Sequence, residues 1–326
     1  MRDSHPSFAA EGIKLYAVSY DDQDTLKEFA DGQGIPYPLL SDIDSRVIRE
    51  YGILNTEVSK DDLFLYGIPF PGVYVCDEEG VVVSKFFHDS YKKRESPEAL
   101  IDAALGRIQI DESAPRASGG EDAIRITAAI RGGRGSIRQG IIRHLVVRFQ
   151  LADGLHIYGE PVPGGLVATA IKVKGPEGLH TLPAEYPATE TLHLAALDVD
   201  LEVWSGEVDI VIPFYPTGEL VSETRPLDAD SATLDIEVRY QACNDQECLL
   251  PRTEHLSLEL PLEVIDVPNL AVHTGHGQRE GNYDSKPALR RLLWRKVKEH
   301  PLSVPKFLWK NIRMELAARR RVKSQS

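Results

Sequence analysis

The sequence predicts a multidomain chain, an α/β domain followed by a β-sandwich and then a basic helical tail. Three observations predict it. Residues 12–105 alternate short β-branched runs with helix-patterned segments. Residues 123–267 carry successive strand-like runs parted by Gly, Pro and acidic turns. Residues 286–326 hold 13 of the 37 Lys and Arg but only 2 of the 50 Asp and Glu. A length of 326 residues suits about two domains, and 42% hydrophobic residues are enough for more than one core. The domains are placed at 1–108 (α/β), 109–122 (linker), 123–267 (sandwich) and 268–326 (loop and tail).

In the first domain, IKLYAVSY is a short strand. DDQDTLKEFADGQG follows as a helix, with Asp22 or Asp24 as N-cap, Leu26, Phe29 and Ala30 at helical spacing, and Gly32 and Gly34 at its end. YPLLSD is a second strand, and DSRVIREYGI a short helix with Val47, Ile48 and Tyr51 inward. GVYVCDEEGVVVSKFF reads as a hairpin turning at Asp77 to Gly80. SPEALIDAAL is a helix capped by Ser96, with Pro97 in its first turn and Glu98 near its positive end. The Gly, Ser, Pro and acidic residues before Ala123 lack periodicity and supply the linker. Beyond it, TLDIEVRYQA and HLSLELPLEVI alternate most clearly. Leu234, Ile236, Val238 and Tyr240 share one face, as do Leu256, Leu258, Leu260 and Leu262.

The net charge of −13 is unevenly spread: residues 286–326 carry +11 and residues 1–285, with 24 basic and 48 acidic groups, carry −24. The body repels polyanions. The tail has three readings. Its helices pack on the acidic body with Trp294 and Trp309 buried, or they lie on an anionic membrane surface, or their charge binds nucleic acid nonspecifically, since no base-reading motif is present. Packing on the body is preferred, then the membrane. No apolar run is long enough to span a bilayer. MRDSHPSFAAEG lacks the apolar stretch of a secretory signal, so a cytoplasmic location is expected if Met1 is the true start.

Three cysteines are too few for a disulfide-stapled fold of this size. Cys243 and Cys248 lie in RYQACNDQECLLP. On a helix they would diverge by about 140°; across a tight loop tipped by Asn244 to Glu247 they can face and bond. Closing so short a loop is worth about 2 kcal/mol in unfolded-state entropy, which makes a poor staple. A loop-borne, accessible pair suits thiol–disulfide exchange, although Asp245 and Glu247 would raise a neighbouring thiol's pKa. A structural bridge or idle thiols come second. Zinc, with His273 and His276 as further ligands, comes third because the spacing fits no known zinc pattern. No cofactor and no metal are therefore expected. Cys76, in the apolar run VYVCD, is expected to be a buried structural residue.

RYQACNDQECLLP resembles the Y-Q-x-C…C-x-P signature of the N-terminal, immunoglobulin-like periplasmic domain of the thiol:disulfide interchange protein DsbD. LADGLHIYGEPVP and VWSGEVDIVIPF resemble two further strands of that domain, and the resemblance covers roughly residues 123–262. It implies an immunoglobulin-like sandwich, a periplasmic location and electron transfer to other thiol/disulfide redox proteins. By position Cys248 would form the mixed disulfide and Cys243 resolve it. His156 and Tyr158 match an aromatic pair flanking the family's site, Tyr240 belongs to the site lining, and the loop at Leu197 and Asp198 corresponds to a shielding cap. Four residues separate the cysteines here, fewer than in the best-known members.

Residues 12–105 resemble the later part of an AhpC/TSA redoxin, a branch of the thioredoxin fold. GIKLYAVSYDD, YPLLSDIDSRVIREYGI and GIPFPGVYVCDEEG carry the resemblance. Pro71 stands where such folds carry a cis-proline opposite the active cysteine, which makes it a site candidate. The family's nucleophile lies upstream on a segment not read here, so the first domain is a truncated thioredoxin-like domain and peroxidase activity is not expected of it. The expected function is a thiol–disulfide oxidoreductase or redox-partner protein acting through Cys243 and Cys248. The alternatives are a noncatalytic scaffold docked by its basic tail, or an N-terminally truncated peroxiredoxin-like antioxidant enzyme.

Overall fold

The computed structural model describes residues 1–58, 67–88, 93–108, 110, 114–131, 135–194, 199–222, 225, 229–244 and 247–264, together with 290, 294, 297, 298, 301, 302, 305, 308, 309 and 312 of the tail. The chain forms two compact units, Met1–Gln109 and Ile110–Ser326.

In the first unit, strand Ala17–Ser19 pairs in parallel with Leu39–Ser41, joined by helix Gln23–Gln33. The crossover helix is what a parallel pair requires. Asp22 caps that helix, its carboxylate accepting from the Thr25 amide at 2.8 Å, and Gly34 closes it in the left-handed region at φ 61°. Helix Arg46–Glu50 is capped from further back. The Asp42 carboxylate accepts from the amides of Arg46, Val47 and Ile48 at 3.0, 3.2 and 2.8 Å. Strand Gly72–Cys76 pairs antiparallel with Val82–Phe87, and the Asp77 carboxylate accepts from the Val81 amide across the turn. A Cβ at Gly72 would collide with the Phe87 ring, so only glycine fits there. Ser96 caps helix Pro97–Leu105. Phe8, Leu100 and Ile101 form this unit's core, with Leu15, Val73 and Phe86 packed against it.

Several side chains expected inside lie outside. Leu26 and Ile48 are buried, but Phe29 and Tyr51 are exposed, as are the register partners Val18 and Leu40. Each sheet here has two strands, too little surface to cover both sides of the elements around it. Cys76 is exposed, not buried. Strand alternation turns Val75 inward and Cys76 outward, and a register shift between them pairs Cys76 with Val82. Among the described residues the cis peptide bond is Glu160–Pro161, and the bond before Pro71 is trans.

The second unit is rich in β-sheet. One sheet runs in the order Leu179–Thr181, Glu207–Pro216, Ile141–Leu151, Ile124–Ile130, Arg116–Glu121. Arg116–Glu121 falls inside the expected linker; it pairs residue for residue with Ile124–Ile130, and backbone pairing overrides its poor β-propensity. A second sheet runs Ala170–Lys174, Ser231–Tyr240, Arg252–Glu263, Ile137–Arg138, and a third runs Glu190–Leu194, Val199–Ser205, His156–Tyr158, Ala242–Cys243. The main core joins Ile126, Val147, Phe149 and Ile210 of the first sheet to Leu234, Ile236, Val238, Leu256, Leu258 and Leu260 of the second. The two alternating faces read from sequence are the ones turned to this core, with Leu262 at its half-buried edge. Arg148 forks onto Asp209 of the neighbouring strand, with both N–O distances 2.7 Å, which clamps the register of the first sheet's central pair.

Trp294 and Trp309, expected to be buried if the tail packs on the body, are exposed. Among the described residues no helix is long and apolar enough to cross a membrane.

Phe149 is fully buried with its ring edge-on to Tyr240 at 5.6 Å. Phe149→Ala is expected to destabilise the second unit by about 3–5 kcal/mol. Urea unfolding followed by emission of the buried Trp204 measures this, and a shift near zero would contradict the packing described.

Candidate functional site: the Cys243–Cys248 hairpin

The third sheet divides two apolar clusters. Ile157, Trp204 and Ala242 face the main core, while their neighbours Tyr158, Val203 and Cys243 face a smaller cluster with Leu201. Alternation along each strand produces this split. Cys243 therefore sits on the side of the sheet away from the main core. The loop that follows Tyr158 folds over it, with Val162 and Leu166 packed against the small cluster.

After Cys243 the chain turns at once. The Asn244 amide donates to the Glu247 carbonyl at 3.0 Å, the Glu247 amide donates to the Asn244 side-chain oxygen at 2.8 Å, and the Leu249 amide donates to the Ala242 carbonyl at 2.9 Å. Asn244 thus closes a tip in which a short polar side chain replaces a strand partner. The turn brings the Cα atoms of Cys243 and Cys248 to 4.1 Å, and the two are joined in a disulfide. The members of the pair are unlike. Cys243 is 1% exposed, whereas Cys248 lies on the surface.

Gln241 holds this hairpin to the covering loop. Its side-chain oxygen accepts from the Val167 amide at 2.9 Å, and its nitrogen donates to the Leu249 carbonyl at 3.0 Å. Both bonds involve a buried side chain, so losing them would strand backbone groups. Sequence reasoning assigned Gln241 no role. The available signal was a glutamine placed between the apolar strand end Tyr240 and Ala242.

His156 lies opposite Cys243 in register, and its ring meets Tyr158 edge-on at 5.5 Å. The Tyr158 hydroxyl lies 3.5 Å from Cys248 Sγ and donates to it, since a bonded sulfur has no proton to give. Burial pushes the Tyr158 phenol pKa up, so it keeps its proton and stays a donor at neutral and mildly alkaline pH. The structure thus brings together Cys243, Cys248, His156 and Tyr158. Tyr240, expected to line the site, belongs to the main core, because the alternation of Ser231–Tyr240 puts it on the face of Leu234, Ile236 and Val238. Pro71 belongs to the first unit. Leu197 and Asp198, read as a cap, lie outside the described residues, as do Asp245, His273 and His276. Among the described residues no cluster of His, Cys, Asp and Glu is arranged to hold a metal.

The Tyr158 hydroxyl stabilises negative charge on Cys248 more than it stabilises the neutral thiol. In reduced protein carrying Cys76→Ser, Tyr158→Phe should raise the Cys248 thiol pKa by about half a unit to one unit. The pH dependence of alkylation reads this directly, and an unchanged or lowered value would contradict the contact.

A sequence model of the AhpC/TSA family matches residues 1–85, and one described as thiol:disulfide interchange protein DsbD, N-terminal, matches residues 136–260. The chloroplastic peroxiredoxin Q of Gentiana triflora is 33% identical over 108 residues, covering 33% of this chain and 44% of that protein. That of Arabidopsis thaliana is 34% identical over 104 residues, covering 32% and 43%. The chain spans about half the length, or less, of these curated relatives. Among solved structures, the N-terminal periplasmic domain of ScsB from Proteus mirabilis shares 18% identity at a TM-score of 0.29, covering 44% of this chain and 47% of that one. The reduced DsbD N-terminal domain of Neisseria meningitidis shares 15% at 0.23, covering 45% and 84%. The chain therefore joins a segment similar to the AhpC/TSA family, residues 1–85, to one similar to the DsbD N-terminal domain, residues 136–260.

Proposed function

We propose that the chain is a thiol–disulfide oxidoreductase that exchanges electrons with other thiol/disulfide proteins through Cys243 and Cys248. The observation that carries this is the asymmetry of the pair: an exposed Cys248, its sulfur beside the Tyr158 hydroxyl, bonded to a buried Cys243. Exchange needs one sulfur reachable in line and a second held ready behind it.

In the reduced protein, the Cys248 thiolate attacks one sulfur of a partner's disulfide. A bond forms between Cys248 and that sulfur, and the partner's other sulfur leaves as a thiolate and takes up a proton. The Cys243 thiolate then attacks Cys248 Sγ, closing the bridge and releasing the partner's second thiol. Two electrons and two protons pass to the partner. The reverse sequence, driven by an external dithiol, reduces the bridge again. Tyr158 holds charge on Cys248 in the first step, and His156 lies opposite Cys243 on the adjacent strand.

The three sheets of the second unit are read here as an immunoglobulin-like sandwich that presents this hairpin at its edge. An oxidising compartment suits a chain whose bridge must re-form, and the DsbD resemblance points to the periplasm. The AhpC/TSA segment offers Cys76, exposed at a strand end, and we give it no step in the exchange. A peroxidase reading fits less well, because the peroxiredoxin relatives are shared over only part of their length.

With Cys76→Ser as background, the variant Cys243→Ser leaves Cys248 as the sole thiol, and Cys248→Ser leaves Cys243. The first should form a mixed disulfide with Ellman's reagent at least about tenfold faster than the second. Equal rates, or a faster Cys243, would overturn the assignment of Cys248 as the exchanging sulfur.

A further inference from the structure

Apolar side chains of the C-terminal tail face solvent. Arg290, Trp294, Val297 and Lys298 have helical backbone, as do Pro305, Leu308, Trp309 and Ile312. Both sets follow spacings of three and four, so each lies along one side of its helical stretch. Trp294 is 63% and Trp309 60% exposed, and Val297, Leu302, Leu308 and Ile312 are exposed with them. Single exposed aliphatic residues are ordinary on a protein surface. Two tryptophans and four aliphatic residues gathered in one short stretch mark an interaction surface.

Charge narrows the choice of partner. Residues 286–326 carry +11 and the rest of the chain −24. The acidic body complements the tail in sign, yet Trp294, Val297, Leu308 and Ile312 stay exposed. A nucleic acid would satisfy the cations but would leave Val297, Leu308 and Ile312 in water. An anionic bilayer surface meets both requirements, with phosphates for Lys and Arg and the headgroup–acyl boundary for tryptophan and aliphatic side chains.

We propose that residues 286–326 dock on the surface of an anionic phospholipid bilayer, with Trp294, Val297, Leu308, Trp309 and Ile312 turned into the headgroup layer. The docking is peripheral. The acidic remainder of the chain is repelled by the same headgroups, which holds it off the surface and leaves it in the aqueous phase.

The test uses the full chain and vesicles of phosphatidylcholine containing about one third phosphatidylglycerol. Binding should be at least about tenfold tighter than to pure phosphatidylcholine vesicles and should weaken as salt is raised. Two of the three tryptophans lie in the tail, so their emission should shift to the blue on binding. The full chain carrying Trp294→Ser, Leu308→Ser, Trp309→Ser and Ile312→Ser keeps its charge, and it should lose about tenfold in affinity and the blue shift with it. Unchanged far-UV circular dichroism would show that the variant is folded. Failure to bind the anionic vesicles, equal binding to neutral ones, or full binding by the variant would overturn the proposal. So would binding of a DNA duplex by both proteins in preference to the vesicles.

Discussion

The candidate site depends on one short constraint, the four-residue tip from Asn244 to Glu247. A chain that leaves Cys243 along a strand must reverse within that length for Cys248 to reach it. Asn244 achieves the reversal by bonding Glu247 twice, once through its backbone amide and once through its side chain. Without the turn the two sulfurs are merely near in sequence. With it they are held opposite each other by an antiparallel bridge next to the end of the sheet.

The sheet behind that hairpin explains why the two sulfurs differ. Strand alternation commits Ala242 to the main core and Cys243 to the smaller cluster on the other side. The loop bearing Val162 and Leu166 then closes over Cys243, and Gln241 ties that loop to the residue after Cys248. Cys248 lies past the tip, bridged to Cys243 by an isolated antiparallel pairing, and is exposed. A buried Cys243 and an exposed Cys248 thus sit on the two sides of one tight turn. The Tyr158 hydroxyl reaches Cys248 because its ring is anchored in the same small cluster.

Much of this was legible in the sequence. The facing of the two cysteines follows from their spacing, the alternating faces of Leu234 to Val238 and Leu256 to Leu260 from period two, and the caps at Asp22 and Ser96 from local chemistry. What was not legible depended on partners distant in sequence. Cys76 sits in an apolar run, but it is the neighbour Val75 that the unit's packing takes inward, which leaves Cys76 on the exposed side of the strand. Phe29 and Tyr51 sit at helical spacing, but the sheets beside them are too narrow to cover them. Arg116–Glu121 has the composition of a linker and becomes a strand because Ile124–Ile130 offers it a full ladder. Gln241 is marked in the sequence only as a polar residue between Tyr240 and Ala242, and its partner Val167 lies on a distant loop. Tyr240 lies beside the cysteine motif, yet its alternation with Leu234, Ile236 and Val238 assigns it to the core.

The central claim is that the Cys243–Cys248 bridge is made to open and close rather than to brace the fold. Its reduction potential is the most direct measure, obtained by equilibrating the Cys76→Ser protein against glutathione buffers and trapping the thiols by alkylation. An exchanging pair with one sulfur on the surface should fall between about −180 and −280 mV. A value well below about −300 mV would show an inert structural bridge and contradict the account.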